Sequence, residues 1–474
     1  MNDWSEAEQR VERAHELFEL GRWDDAENEL RTALSLNPYQ PEWHFNLGLT
    51  LDAAGRFENA SAAFDDAFEH DPSNEQAMLM SAGALLRAGN AETALKRLAC
   101  ALDVDPELVD AWAYRVDAFA ALGRHDEAEE AFYQGQQVDA DHAELYASMA
   151  ESLLDRGLND KAVWCLREAA RLDSSLPRIE ARLASAYLQT GRHERARQLF
   201  IRELRRDPGD IDTLLDLGDL LFDMNRMVEA REKYNRVLEL EPGNADAHAS
   251  LGELYAQIGA DDDAITEFDI VVRLDPSDGI SARRLAANLL RRGLDTDLAK
   301  ARRLIEHQLR LVRTDAESVD AESLDDLGCL LLDAGRPKDA VRILNLLTAR
   351  SPENPLAWHR LAVAQFECGL VEKGFGSARQ SLRLNPRSVP AMHNLAVAHI
   401  RSGQIARARY WIRQALAIDP DDQPARRLRG VLIAHAVKRV VLRGFSLCAG
   451  LCGIALGFIV RPTRRPAFRK SAIG

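Results

Sequence analysis

The sequence predicts an all-α fold, a solenoid of antiparallel helix hairpins, from three observations. Nine prolines that follow an aspartate, glutamate, asparagine or serine are separated by 34 residues or a multiple of 34, except across one interval. Glycine recurs at a second fixed place of the same period, and alanine recurs at a third. A period of this length is typical of stacked units, each of which needs its neighbours to cover its apolar face.

Twelve frames of this period each read as two helices. They begin at residues 7, 41, 75, 109, 143, 177, 211, 245, 279, 321, 355 and 389. Apolar residues follow the 3.6-residue helical period, as at Trp43, Leu47 and Leu51. Glycine at the fifteenth place, replaced once by Asn225, ends the first helix, and the late proline ends the second. Small residues at the eighth and twentieth places let the two helices approach closely.

These places together resemble the tetratricopeptide repeat. The motif residues include small eighth places (Gly48, Gly218, Gly252), alanine at the twentieth place (Ala60, Ala230, Ala264), aromatic residues or leucine at the eleventh (Leu51, Phe119, Tyr187, Tyr255) and aromatic residues at the twenty-fourth (Phe64, Phe132, Phe200, Tyr234, Phe268). The resemblance covers about twelve repeats over residues 7–420. It implies a right-handed superhelical α-solenoid that holds other polypeptides in a concave groove lined by the first helices.

Some frames depart from the pattern. Frames four and five lack the late proline, with Ala140 and Ser174 in its place, and Gly374 stands where alanine is usual. The ninth frame is eight residues longer than the period. Its apolar spacing predicts a long second helix and then a polar loop, either a hinge or a tolerated surface insertion. The predicted division is repeats one to nine (7–312), the loop (313–320), repeats ten to twelve (321–420), a basic capping helix (421–443), an apolar segment (444–460) and a basic tail (461–474).

The second, ninth and thirteenth places of each first helix share one face, opposite the partner helix. Seven and eleven steps of about 100° return to within about 20° of the start. In frames four to eight, ten of these fifteen places are acidic and one is basic. They predict a groove for a basic peptide, lined by Asp110, Asp117, Glu144, Glu151, Asp155, Asp212, Asp219, Asp223, Asp246 and Glu253. The alternative is an ordinary solvated surface, since the whole chain carries a net charge of −15.

The later frames carry a mixed set of side chains on the same face. A second epitope is predicted at His359, His393, Asn394 and Arg401. Asn46 and Asn394 resemble the asparagines with which some tetratricopeptide arrays hold peptide backbones. Because two of the twelve frames have such an asparagine, a sequence-independent backbone ladder is not expected.

The C-terminal region has a different composition. Residues 421–474 hold eleven basic and two acidic residues. Residues 423–443 predict an amphipathic helix that caps the last repeat, with Leu428, Val431 and Leu432 on its apolar side. Residues 444–460 carry no charge and as a helix would span about 25 Å, just short of a roughly 30 Å hydrocarbon core. A membrane anchor, a cap packed on the repeats and an interfacial helix remain alternatives for this segment, and the basic tail could instead occupy the acidic groove.

Composition and motifs narrow the function. The negative charge argues against general nucleic-acid binding. Six scattered cysteines and an acidic start predict a cytoplasmic protein, and arginine far outnumbers lysine, as in GC-rich bacterial genomes. No catalytic, metal-binding or cofactor motif is found, so neither an enzyme nor a cofactor is predicted. The predicted function is a non-catalytic scaffold or adaptor for a basic protein segment. The alternative is a substrate-presenting or regulatory subunit of an enzyme complex, such as a glycosyltransferase, a protease or secretion machinery.

Overall fold

Every regular element in the described part of the chain is an α-helix. The computed structural model describes residues 3–432, and no strand occurs among them. Successive helices pair as antiparallel hairpins, which confirms the predicted all-α class. Odd-numbered helices below are the first helices of the frames, and even-numbered helices are the second helices.

The helices have the following bounds. The first fifteen are α1 (Asp3–Glu19), α2 (Trp23–Leu36), α3 (Pro41–Ala53), α4 (Phe57–His70), α5 (Glu75–Arg87), α6 (Ala91–Val104), α7 (Val109–Ala121), α8 (His125–Val138), α9 (Ala143–Asp155), α10 (Asn159–Leu172), α11 (Ile179–Gln189), α12 (His193–Arg206), α13 (Ile211–Asp223), α14 (Met227–Leu240) and α15 (Ala245–Ile258). The next nine are α16 (Asp261–Leu274), α17 (Gly279–Arg292), α18 (Asp295–Thr314), α19 (Ala321–Asp333), α20 (Pro337–Arg350), α21 (Pro355–Glu367), α22 (Val371–Leu384), α23 (Val389–Arg401) and α24 (Ile405–Ile418). One more helix begins at residue 423 and continues to residue 432.

The chain divides into two compact units, Met1–Leu254 and Tyr255–Gly474. Each unit has its own buried core. In the first unit, Leu47, Leu51 and Phe64 belong to one buried cluster. In the second unit, the largest cluster runs from α16 to α21.

The turn between the two helices of a repeat depends on one residue with positive φ. Gly55 has a φ of +72°, its N–H bonds the carbonyl of Asp52, and the next N–H bonds the carbonyl of Leu51. This is the Schellman arrangement, in which the left-handed residue satisfies the last carbonyls of the helix. Asn225, which replaces glycine in frame seven, has a φ of +59° and makes the same turn. Asparagine tolerates this conformation better than most residues, which explains the substitution.

In repeats two and seven the two helices pack closely at the eighth place. A Cβ atom added to Gly48 would lie 2.5 Å from the Phe64 ring, and one added to Gly218 would lie 2.4 Å from the Tyr234 ring. Phe64 and Tyr234 both stand at the twenty-fourth place and are almost completely buried. The small residue at the eighth place therefore provides the space for the large side chain at the twenty-fourth.

Frame eleven shows how a departure from the pattern is accommodated. Gly374 occupies the twentieth place, where a Cβ atom would lie 2.5 Å from the Phe366 ring. That ring packs edge-on against Phe375. Glycine replaces alanine here because Phe366 fills the space of the missing methyl group.

The helix that follows frame five begins at the third place of its frame instead of the first. Residues before α11 form an additional turn, and Arg178 takes a left-handed φ of +54°. α11 consequently has 11 residues, whereas α9 and α13 have 13 each. No such change accompanies Ala140, since α9 starts at the first place of its frame.

The long ninth frame extends its second helix. α18 has 20 residues, whereas α16 and α20 have 14 each. The helix continues through Thr314, so the connection to α19 covers 315–320 rather than the predicted 313–320. Arg350 of α20 donates hydrogen bonds to the carbonyls of Ala316 and Val319 and so holds this connection.

The described part of the predicted capping helix packs on the last repeat. Ala425 and Leu432 are buried with Ile412 and Ala415 of α24, and Leu428 packs against the same cluster. Val431, which was predicted to lie on this apolar side, is instead 58% exposed. Spacings of three and four residues place Ala425, Leu428 and Leu432 on one face, and Val431 lies away from it. Residues 433–474, including the apolar segment and the basic tail, lie outside the described residues.

Two alanine substitutions in α22 test the close approach at Gly374. Gly374→Ala should destabilise this repeat by about 1–3 kcal/mol, because the new methyl group meets the Phe366 ring. Gly376→Ala is the matched control, since no atom lies within 4 Å of its Cβ position. It should stabilise the helix by about 0.5–1 kcal/mol. Hydrogen exchange of α21 and α22 measures both effects, and equal protection in the two variants would contradict the proposed role of Phe366.

Candidate functional site

Contacts between neighbouring first helices define the face on which the predicted groove residues lie. Arg182 of α11 contacts two residues of α9, with its Nε 3.0 Å from Glu151 Oε1 and its Nη1 3.3 Å from Glu144 Oε1. Ser250 of α15 contacts α13 through its Oγ, 3.5 Å from Asp219 Oδ1. The second and ninth places of one helix therefore lie beside the sixth place of the next.

The sixth place is a part of this face that the sequence analysis did not include. It holds Tyr114, Ser148, Arg182, Asp216 and Ser250 in frames four to eight. The helical period alone predicts that the sixth place shares this face, because four steps of about 100° from the second place return to within about 40° of it. Including this place adds one carboxylate and one arginine to the face.

The predicted groove residues differ in exposure. Six are exposed, namely Asp110, Asp155, Asp212, Asp219, Asp223 and Asp246. Four are half-buried, namely Asp117, Glu144, Glu151 and Glu253. All ten belong to the first unit, between α7 and α15.

Part of the negative charge is compensated within the chain. Arg182 bridges Glu144 and Glu151, and Arg178 Nη1 lies 2.6 Å from Asp212 Oδ2. His142 Nε2 lies 3.0 Å from Asp110 Oδ1. This hydrogen bond raises the pKa of His142 and lowers the pKa of Asp110. The predicted trough is therefore not uniformly negative.

Four carboxylates on α13 and α15 form no ion pair with a lysine, arginine or histidine among the described residues. We call Asp216, Asp219, Asp223 and Asp246 the carboxylate cluster. Desolvation raises the pKa of both Asp216 and Asp219, and neighbouring carboxylates raise these pKa values further, whereas the charge of Arg178 lowers the pKa of Asp216. The Tyr234 hydroxyl donates to Asp219 Oδ1 at 2.7 Å and partly offsets this effect. An added cation would therefore lower the electrostatic energy of the cluster.

Comparison with known protein families identifies the repeats. Three family models, each described as tetratricopeptide repeat, match this chain. The first matches residues 11–75, 148–211, 215–279 and 326–386, the second matches residues 51–114, and the third matches residues 389–422. One of these models alone matches more than half of the chain. The chain belongs to the tetratricopeptide repeat family.

Solved structures similar to this tetratricopeptide protein include pilF of Pseudomonas aeruginosa, yeast Tom70 and TTC0263 of Thermus thermophilus. The pilF chain is 24% identical, with 44% of this chain and 94% of that chain covered and a TM-score of 0.38. Tom70 is 16% identical, with coverages of 91% and 96% and a TM-score of 0.39. TTC0263 is 24% identical, with coverages of 38% and 99% and a TM-score of 0.36. The curated proteins include no match to this sequence.

The predicted second epitope lies in the second unit of the tetratricopeptide array. Its members are only partly brought together. Asn394 Nδ2 lies 3.4 Å from His359 Nε2, whereas Arg401 is exposed at the end of α23. His393 has a buried Nδ1 without a hydrogen-bond partner among the described residues. Burial lowers the pKa of His359 and of His393 and so favours the neutral imidazole at both positions.

Other features of the described residues bear on the predicted classes. No group of three or more histidine, cysteine, aspartate or glutamate side chains between residues 3 and 432 could hold a metal ion. Within that range no helix is both long enough and apolar enough to cross a bilayer. The predicted anchor, 444–460, lies outside it.

The carboxyl group of Asp117 yields a pH-dependent prediction. Burial raises its pKa to about 6, so the ionised form is disfavoured in the folded chain. Its contribution to stability is present below the ordinary pKa near 4 and is lost as the pH rises through about 6. Asp117→Asn should therefore raise the urea midpoint more at pH 8 than at pH 5. Asp155→Asn is the matched change at an exposed carboxylate of the next first helix, and an equal gain at both pH values for Asp117→Asn would contradict the assignment.

Proposed function

We propose that this protein is a non-catalytic scaffold that binds a basic segment of a partner polypeptide on the first-helix face of its first unit. Membership of the tetratricopeptide repeat family supports the general role, because such repeats generally serve protein–protein interaction. The observation that carries the finer proposal is the carboxylate cluster, where four acidic side chains from two adjacent repeats form no ion pair among the described residues.

The internal ion pairs support the same interpretation. Arg178 and Arg182 show that a guanidinium fits on this face, since each contacts carboxylates of a neighbouring first helix. Within the carboxylate cluster, the sixth place is Asp216 instead of arginine. A lysine or arginine of a partner could take the equivalent position. Its charge would favour the ionised carboxylates and speed the encounter at low salt.

Charge reversal at two members of the cluster tests the proposal. Asp223 and Asp246 are suitable because both are exposed, whereas Asp219 accepts a hydrogen bond from Tyr234 and Asp212 pairs with Arg178. The double variant Asp223→Lys/Asp246→Lys should bind a fluorescein-labelled nine-arginine peptide about tenfold more weakly in low salt. Fluorescence anisotropy measures the affinity.

The control has the same change in net charge on second helices. Glu69→Lys/Glu232→Lys replaces exposed residues of α4 and α14, and its affinity should stay within about twofold of the wild type. The difference between the two variants should shrink at high salt because the cluster is solvent-accessible. If the two double variants weaken binding equally, the effect comes from net charge and the proposed site is wrong.

We also propose that residues 444–460 tether the scaffold to a membrane. Seventeen uncharged residues lie between Arg443 and Arg461, and the flanking arginines could reach the two interfaces. The full chain should remain in the membrane fraction after alkaline carbonate extraction. A chain ending at residue 443 should leave it. Recovery of both chains in the supernatant would refute the tether and leave the peptide-binding proposal untouched.

A further inference from the structure

A cavity opens between the first two repeats of the first unit. Its volume is about 150 Å³, and it lies among α1, α2 and α3. Its apolar wall includes Val11, Phe18 and Leu49. Its polar lining residues are His15, Asn46 and Thr50. An apolar cavity of about this size accepts one benzene ring in other proteins. The space therefore matches one large apolar side chain.

The cavity differs from the acidic face of the later repeats at the ninth place. Frames four, five, seven and eight have a carboxylate there, whereas frame two has Leu49. Leu49 is half-buried, as are Val11 and Phe18, so each still presents part of its apolar surface. Residues at this place can therefore be apolar or acidic without loss of the repeat fold.

A polar group is available at the cavity wall. The Thr50 hydroxyl donates to the backbone carbonyl of Asn46 at 2.8 Å, and the Asn46 side-chain amide makes no hydrogen bond to another residue between 3 and 432. The Asn46 side chain is exposed, so its amide can both donate to and accept from a peptide group. It could hold the backbone of a segment whose side chain enters the cavity.

The surrounding helix surface carries unpaired negative charge. Glu8, Glu12 and Glu19 share the α1 face that carries His15, because they lie seven, three and four residues from it. Glu42 occupies the second place of α3. All four are exposed, and none forms an ion pair within the described part of the chain. A segment with basic residues on both sides of its apolar side chain would complement this surface.

We propose that the cavity is an anchor site for one phenylalanine, leucine or methionine side chain flanked by lysine or arginine in the partner polypeptide. The inference rests on the proposed function in that it concerns the same class of basic partner, and it adds a determinant of sequence specificity at a different place. The carboxylate cluster contributes charge, and the cavity selects the residue between the charges.

A pair of peptides with equal charge tests the anchor. The probe is fluorescein-labelled Lys-Arg-Ala-Phe-Ala-Arg-Lys, and the control peptide has serine in place of phenylalanine. The full chain should bind the phenylalanine peptide about tenfold more tightly, as expected for burial of one aromatic side chain. Equal affinities of the wild type for the two peptides would overturn the proposal.

A substitution at the ninth place separates two explanations of peptide binding, attraction by charge alone and insertion of an apolar side chain into the cavity. Leu49→Asp adds a negative charge, so attraction by charge alone would tighten binding of both peptides. Loss of the apolar wall should instead reduce the preference for phenylalanine to about twofold or less. The repeat should still fold because Asp117 and Asp219 occupy the same place in other frames, and circular dichroism checks this. Val397→Asp, at the ninth place of frame twelve, is the matched control and should retain the preference. An unchanged preference in Leu49→Asp would overturn the proposal.

Two further outcomes separate this inference from its alternatives. Asp223→Lys/Asp246→Lys should keep the phenylalanine preference, so failure of the carboxylate cluster and failure of the cavity are distinguishable. The chain itself contains Phe468 among four basic residues, at 464–470. Self-association of the full chain in sedimentation, abolished by Phe468→Ser, would assign the cavity to a second copy and overturn the proposal of a separate partner.

Discussion

Repeats two, seven and ten share one close contact, in which a large side chain at the twenty-fourth place packs over a glycine at the eighth. The clearest examples are Phe64 over Gly48 and Tyr234 over Gly218. Interiors are packed densely enough that a single added methyl group forces a shift. The contact sets the distance and the rotation of the first helix relative to the second. Because the helix pairs recur at intervals of 34 residues over most of the chain, corresponding places of successive first helices within a unit lie on the same side.

The function proposed for the first unit follows from this register. Carboxylates of successive first helices lie on one face, where they repel one another. Nearby cations can offset this repulsion. Arg182 of α11 and Arg178, which directly precedes α11, pair with carboxylates of neighbouring first helices, whereas α13 and α15 themselves contain no arginine or lysine. The carboxylates left there have pKa values raised by desolvation, at Asp216 and Asp219. A surface with this unfavourable charge density is a physical basis for binding a basic partner.

The sequence was sufficient for features that depend on local conformation. The period predicted the helix pairs, and the fifteenth place predicted the left-handed turns, including the one at Asn225. Contacts between repeats were harder to predict. Arg182 pairs with carboxylates 31 and 38 residues away, and nothing in the local pattern distinguishes it from a solvated arginine. The exposed Val431 and the left-handed Arg178 were missed for a similar reason, since packing of neighbouring elements decides them. The predicted groove residues lie on first helices, and the internal cations that compensate part of their charge could not be identified from the sequence.

Zero-length carbodiimide cross-linking of a lysine-rich peptide to the full chain is the most direct measurement of the central claim. The reaction joins a lysine amine to a carboxylate in contact with it, and mass spectrometry of the digest locates the carboxylate. The account predicts cross-links at the carboxylate cluster, on Asp216, Asp219, Asp223 and Asp246. Cross-links concentrated on acidic residues of second helices, such as Glu232 and Glu239 of α14, would contradict it.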